Sequence, residues 1–93
     1  MTDTVAVRRD DARRRYELDV EDGVAFALYR EEPGAVVVTH TETPGHLRGR
    51  GIGARLVRGV LEDIAARGLK VVPRCPFVAA YIARNPQFAP LVR

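Results

Sequence analysis

Residues 47–56 read LRGRGIGARL, in which three glycines alternate with arginine and isoleucine before a regular helical pattern begins. A glycine costs a helix or strand about 0.5–1 kcal/mol relative to alanine, so three together need a reason. The β-branched run Ala35–Thr41 precedes the loop and predicts a buried central strand. The loop therefore joins a central strand to the start of a helix.

The chain before this strand predicts antiparallel strands. Tyr16, Leu18 and Val20 alternate with charged residues, as in a half-buried strand, and Val24, Phe26 and Leu28 then alternate with smaller or polar residues. Asp22-Gly23 predicts a hairpin turn between these two strands. Glu32-Pro33-Gly34 predicts a second turn before the central strand.

The chain after the loop predicts a helix, a strand and a second helix. The first helix has one apolar stripe: Ile52, Leu56, Val57, Val60, Leu61, Ile64 and Ala65. Gly68 ends this helix, and Gly59 predicts a close approach to the sheet. Leu69–Val72 is a short buried strand, and Pro76 opens a helix over Phe77–Arg84 that Asn85-Pro86 stops. The fold class is α/β of the α+β type, with a mixed sheet.

Length and composition limit the function. The 93 residues predict a single domain over residues 1–93, and a net charge of +3 suits anionic ligands. One cysteine excludes an internal disulfide, no Cys/His cluster has zinc spacing, and no apolar run reaches membrane length. The N-terminus lacks a signal-peptide pattern, so we expect a cytoplasmic protein with no metal and no membrane partner.

The glycine loop is a candidate anion site. Free N–H groups at a helix N-terminus bind phosphate, and glycines let the backbone approach it closely. Arg48, Arg50 and Arg55 add positive charge. The alternative is a tight loop with solvated arginines. The loop is neither a dinucleotide fingerprint nor a Walker loop, because G-x-G-x-x-G and Gly-Lys-Ser/Thr are both absent.

The run Arg48-Gly-Arg-Gly-Ile-Gly53 resembles the Q/R-x-x-G-x-G/A pattern of the GNAT superfamily of acyl-CoA N-acyltransferases. The runs HTETPGHLRGRGIGARLV and GLKVVPRCPFVAAYIARNPQF are similar to its minimal, GNAT-like members. The resemblance implies a mainly antiparallel sheet of about five strands, a central pyrophosphate-binding helix and a C-terminal helix. It implies coenzyme A, bound by the following residues: Arg48, Gly49, Arg50, Gly51, Ile52, Gly53, Ala54 and Arg55.

His40, near the end of the central strand, is the candidate general base for acyl transfer to an amine. An ammonium with a reference pKa of about 10.4 must lose a proton first, and histidine exchanges protons near neutral pH. The alternative is a histidine that only bonds a neighbouring carbonyl. If the strand extends that far, Glu42 orients His40 or acts as a base through water; otherwise it is a solvated loop residue.

Cys75 is the second candidate catalytic residue, as a nucleophile, as an acid for the departing thiolate or as a small wall residue. Arg74 and the helix that begins at Pro76 would lower the pKa of its thiol. We expect the Tyr81 side chain to pack in the core, although many superfamily members place a tyrosine that acts as an acid on this helix. Asn85 either contacts the pantetheine arm of coenzyme A or caps its helix.

Two hypotheses follow from these residues. The first is an acetyl-CoA-dependent N-acetyltransferase, with direct transfer to an amine of a peptide or polyamine. The second is a coenzyme A-binding module with little or no transferase activity. Nucleic acid is not an expected partner, because the arginines lack interleaved aromatic residues. We read Arg9, Arg13–Arg15 and His46 as solvated surface, and the sequence leaves the acceptor and the oligomeric state open.

Overall fold

The computed structural model describes residues 6–20, 23–45, 49 and 51–93. Asp22 of the predicted hairpin, His46, Arg48 and Arg50 lie outside these residues. The elements follow one another as β1 (Arg8–Asp10), β2 (Arg15–Val20), β3 (Gly23–Glu32), β4 (Ala35–Glu42), α1 (Ile52–Ala66), β5 (Lys70–Pro73) and α2 (Pro76–Arg84). A 3₁₀ helix at Pro86–Leu91 follows α2.

The sheet is mixed and mainly antiparallel, as predicted. Its five strands lie in the order β1-β2-β3-β4-β5, and only the pairing of β4 with β5 is parallel. β1 is a short strand that the sequence pattern does not predict. The predicted turn at Pro33-Gly34 is present, with Gly34 at φ 77° and Glu32 paired with Ala35 across it.

The core lies between one face of the sheet and both helices. Buried side chains of α1 and α2 join those of the strands in one cluster, and the strands contribute Tyr16, Leu18, Ala25, Ala27, Tyr29, Val36, Val38 and Val71. On β3 the alanines therefore face the helices, whereas Phe26 and Leu28 point to the opposite face. Small side chains at these two positions let α1 pack close to the sheet.

The helical stripe predicted from the sequence is buried in α1, apart from Ala65, which is exposed. Gly68, at φ 71°, ends the helix with the two backbone bonds of a Schellman motif, Gly68 N–H to Ala65 O and Leu69 N–H to Ile64 O. Gly59 faces Val7 rather than the sheet, because a Cβ there would lie 2.4 Å from Val7 Cγ2. The glycine thus admits the segment that leads into β1.

A polar network joins α1 to the first two strands. Tyr16 donates its hydroxyl hydrogen bond to Asp63 at 2.7 Å, and the Arg9 guanidinium contacts the same carboxylate at 2.7 Å. Arg9 is therefore not the freely solvated residue that we read from the sequence. Arg15 is also held, by an ion pair to Glu17 at 2.6 Å and by its position 4.8 Å from the Phe26 ring centroid.

Replacing Asp63 with alanine should lower the free energy of unfolding by about 1–3 kcal/mol, because the buried Tyr16 hydroxyl then loses its acceptor. Urea denaturation measures the change. Glu62→Ala is the matched control on the same helix, because the exposed Glu62 pairs only with the exposed Arg58 among the described residues, and it should stay within about 0.5 kcal/mol of wild type. Equal losses in the two variants would contradict the network.

Candidate active site

The site begins where β4 extends beyond the end of its neighbour β5. Parallel pairing with β5 ends at Val38 and Pro73, whereas β4 continues to Glu42. The N–H groups of Arg74 and Cys75 both donate to Val38 O, at 3.1 and 3.0 Å, and the chain then turns into α2. Within the part of the chain that the structure describes, no strand pairs with Thr39–Glu42 on this side.

A cleft of about 520 Å³ opens at this end of the sheet. It is lined by the end of β4, the start of α1 and the first turn of α2: His40, Thr41, Glu42, Thr43, Gly49, Gly51, Ile52, Gly53, Ala54 and Phe77. Its volume lies within the range of small-molecule sites in proteins.

The N-terminus of α1 faces this cleft without a side-chain cap. Gly51 is the N-cap residue, at φ 75°, and the first helical hydrogen bond runs from Arg55 N–H to Gly51 O at 3.1 Å. The N–H groups of Gly51, Ile52, Gly53 and Ala54 therefore lack helical partners, and the first turn holds no acidic residue. Together with the helix dipole, these groups form a positive site for an anion.

The three glycines differ in what they allow. Gly49 and Gly51 have positive φ angles of 86° and 75°, a backbone conformation that residues other than glycine rarely adopt. Gly53 lies in the helix, but a Cβ there would approach the Phe77 ring to 2.9 Å. The first two glycines thus shape the loop, and the third lets α2 close against α1.

A β-bulge decides which face of the sheet each side chain at the end of β4 occupies. Leu28 pairs with His40 and Tyr29 pairs with Val38, so Thr39 is an extra residue on β4. Opposite residues of an antiparallel pair share a face, so His40 lies on the face of Leu28 and Thr41 on the helix face with Ala27. Without the bulge, His40 would continue the helix face of Val36 and Val38.

His40 and Glu42 are brought together at the edge of the cleft. The strand extends to Glu42, so both side chains lie on one face, and His40 Nε2 is 3.1 Å from Glu42 Oε1. The Phe26 ring flanks the histidine, with 6.5 Å between ring centroids. Of the two arrangements left open for Glu42, the structure has the one in which it can orient His40.

Cys75 does not line the cleft. Only 5% of its surface is exposed, and its Sγ lies 3.6 Å from the hydroxyl of Thr41, a residue that does line the cleft. Burial raises the pKa of this thiol, but Thr41 and the N–H groups of Phe77 and Val78 lower the pKa by a larger amount. The net shift of the pKa is therefore downward. The Cys75 side chain, at the N-cap of α2, does not accept a capping hydrogen bond from either N–H group.

Three other predicted residues have different surroundings. Arg55 lies in a second groove beside Val7 and Arg58, not in the cleft. Asn85 donates from Nδ2 to Tyr81 O at 2.8 Å and so caps α2, the second of its two alternatives. Tyr81 packs in the core, with its ring centroid 6.1 Å from that of Phe88.

Sequence reasoning missed Thr41, Thr43 and Phe77 as lining residues. Thr41 and Phe77 each had a signal. Thr41 stands between the two polar candidates of β4, and Phe77 follows Cys75-Pro76 at the start of α2. Strict alternation places Thr41 opposite His40, and the bulge decides which of the two lies on the helix face.

The family comparison decides how these features are interpreted. The family model described as GCN5-related N-acetyl-transferase matches residues 15–91, which include every strand and helix except β1. The chain belongs to the GCN5-related N-acetyltransferase family. The strand, glycine loop and helix predicted from residues 35–66 lie within the segment that matches this family.

Sequence relatives of this chain include three proteins that carry the name NATD1. The proteins named NATD1 from Mus musculus, Gallus gallus and Homo sapiens are each 29% identical to this chain over 85 residues. These alignments cover 88% of this chain and 77%, 77% and 75% of the respective relatives. Such similarity supports shared ancestry, and it names no substrate.

Two further findings concern metals and membranes. In residues 6–20, 23–45, 49 and 51–93, no group of three His, Cys, Asp or Glu side chains is placed to hold a metal ion. None of the described helices combines the length and the apolar character that a membrane crossing requires.

Proposed function

We propose that this chain is an N-acetyltransferase that moves an acetyl group from acetyl-CoA to a primary amine. One observation supports it above all: the uncapped N-terminus of α1 opens into the same cleft as the His40–Glu42 pair. An anion site and a candidate base thus line a single cleft. We further propose that residues 1–93 act as a single domain in the cytoplasm.

The pyrophosphate of coenzyme A would bind at the start of α1. The N–H groups of Gly51, Ile52, Gly53 and Ala54 can donate to its oxygens, and the helix dipole favours its charge. Gly49, through its positive φ, helps the loop to curve toward the ligand. Arg48 and Arg50 lie outside the described residues, and their assistance stays a prediction from the sequence.

Arg55 and Asn85 contribute less to this proposal than the sequence implied. Arg55 lies in the other groove, so any effect on the pyrophosphate would be long-range. The Asn85 amide already caps α2, which leaves it a structural role. The proposed binding residues are therefore those at the glycine loop itself.

His40 would take the proton from the incoming ammonium. When His40 Nε2–H donates to Glu42, Nδ1 keeps the lone pair that can accept this proton. Glu42 then stabilises the imidazolium that forms, as an orienting carboxylate does in other acid–base pairs. The free amine attacks the thioester carbonyl, the C–N bond forms, and the C–S bond breaks as the thiolate leaves.

We propose direct transfer rather than an acyl-cysteine intermediate. Cys75 Sγ lies behind Thr41 and does not face the cleft, so a thioester bound there would not meet it. The acceptor is an amine on a peptide or a polyamine, because the described elements leave few walls around the end of β4. A deep, closed acceptor pocket would argue against that class.

The alternative function is a coenzyme A-binding module without transferase activity. It uses the same glycine loop and gives His40 and Glu42 only a structural role. Both functions predict that coenzyme A raises the melting temperature. Only the transferase predicts release of free coenzyme A from acetyl-CoA in the presence of an amine.

Replacing Ala54 with glutamate should weaken coenzyme A binding about tenfold or more, relative to Ala54→Gln. The new carboxylate lies in the first turn of α1, where it repels the pyrophosphate but interacts favourably with the helix dipole. The glutamate variant should therefore bind worse and yet be as stable as the glutamine variant or more so. Isothermal titration calorimetry and urea denaturation measure the two effects.

Ala54→Gln is the matched control because it adds the same bulk without charge. Equal affinities of the two variants for coenzyme A would contradict an anion site at the start of α1. Loss of stability in the glutamate variant alone would contradict the uncapped, positive helix end.

Replacing His40 with glutamine should lower kcat for acetylation of an amine about 10²-fold, because glutamine cannot exchange a proton near neutral pH. Coenzyme A affinity should change little, since His40 lies at the β4 end of the cleft rather than at α1. Thiol release from acetyl-CoA, followed over a panel of peptide amines and polyamines, measures turnover.

Glu62→Gln is the control for this experiment, because Glu62 is exposed on α1 outside the cleft. Wild-type binding of coenzyme A with no turnover on any amine would favour the binding-module alternative. Unchanged turnover in the His40 variant would remove His40 from the reaction.

A further inference from the structure

Thr41 is the point at which the helix face of β4 meets the cleft. Its partner Ala27 belongs to the core, and the bulge at Thr39 turns Thr41 to that side. Thr41 lines the cleft, and its hydroxyl lies 3.6 Å from Cys75 Sγ. Thr41 is thus in contact with both the space for a substrate and a buried thiol that no substrate reaches.

Cys75 is held rigidly behind Thr41. Its N–H donates to Val38 O at 3.0 Å, and its carbonyl accepts from Ala79 N–H at 3.1 Å in the first turn of α2. Cys75 is also the N-cap residue of α2, where helix N–H groups favour a negative charge. This position suits a thiol that alternates between its protonated and charged forms.

We propose that Thr41 donates the proton that the departing sulfur needs, and that Cys75 acts only through Thr41. The inference rests on the proposed acetyl transfer and deepens it. Thr41 is then the catalytic residue, since it touches the substrate, and Cys75 is a positioning residue and proton source. Cys75 therefore need not enter the cleft in order to affect the rate.

The proton transfers balance. The C–S bond breaks and its electron pair stays on the sulfur of coenzyme A, which takes the proton of Thr41 Oγ1. Thr41 takes the proton of Cys75 Sγ in the same step, because a hydroxyl alone is too weak an acid. Cys75 is left as a thiolate, and His40 holds the proton removed from the amine. Solvent returns one proton from His40 to Cys75 after product release.

The surroundings of the thiol favour this exchange. Burial raises the pKa of Cys75, but the contact with the Thr41 hydroxyl and the nearby N–H groups at the start of α2 lower this pKa by more. A thiolate is therefore easier to form here than on a free cysteine. Tyr81, by contrast, is enclosed in the core beside Phe88 and does not line the cleft.

The first test measures the thiol without any turnover. Cys75 is the chain's only cysteine, so thiolate absorbance against pH, taken as the difference from Cys75→Ala, reports this group alone. Thr41→Val should move the titration of the thiol to higher pH, and Thr41→Ser should leave it near that of wild type. Identical titrations in the valine variant and wild type would overturn the coupling.

The second test measures the reaction. Thr41→Val should lower kcat at least about tenfold with little change in KM for acetyl-CoA, and Thr41→Ser should restore most of the rate. Adding Cys75→Ala to Thr41→Val should cause little further loss, because the two residues act in series. Additive losses, or an unchanged kcat in the valine variant, would overturn the inference while the transferase function stands.

Mass spectrometry completes the test. Protein mixed with acetyl-CoA in the absence of an amine should carry no acetyl group on Cys75. An acetylated Cys75 that an added amine discharges would make the cysteine a nucleophile and overturn the inference. A wild-type protein that turns over no acetyl-CoA with any amine would overturn the proposed function itself, and the relay with it.

Discussion

The parallel pairing of β4 with β5 stops at Val38, and the site depends on this early end of the ladder. The next two N–H groups, of Arg74 and Cys75, converge on Val38 O and direct the chain into α2. β4 continues to Glu42 with one edge unpaired by any described strand, and α1 begins beside it. The end of this pairing therefore opens the cleft, directs the chain into α2 and leaves the last residues of β4 free to contact a ligand.

Two local features make this cleft chemically asymmetric. The uncapped start of α1 provides donors for an anion, and glycine at 49 and 51 gives the backbone the positive φ angles that the loop requires. The bulge at Thr39 sends His40 to one face and Thr41 to the other. The His40–Glu42 pair and the Thr41–Cys75 pair thus flank the same strand end from opposite faces.

Much of the fold could be predicted because the tertiary contacts favour the same elements as the local sequence patterns. The stripe of α1, the Pro33-Gly34 turn and the glycine at 68 depend on period, φ and capping, which neighbouring residues determine. β1 was not predictable, because three charged residues become a strand only when paired with Arg15–Glu17 of β2. The sequence predicts that Gly59 lies close to the sheet, because its actual neighbour, Val7, is remote in sequence.

The candidate site was predictable only in part, for a physical reason. The glycine loop has a sequence signature, since glycine is the residue that positive φ selects. The surroundings of Cys75, Arg55 and Asn85 depend on packing between elements, and Asn85 proved to cap α2. The bulge is least visible, because one extra residue in a β-branched run changes no local propensity and yet exchanges the faces of His40 and Thr41.

The central claim is that the start of α1 binds the pyrophosphate of coenzyme A. Backbone amide chemical shifts of ¹⁵N-labelled protein, followed while coenzyme A is added, test it most directly. We predict that the largest shift changes fall on Gly51, Ile52, Gly53 and Ala54. Unmoved amides at these four residues at saturating coenzyme A, or changes concentrated in the groove of Arg58 and Gly59, would contradict the account.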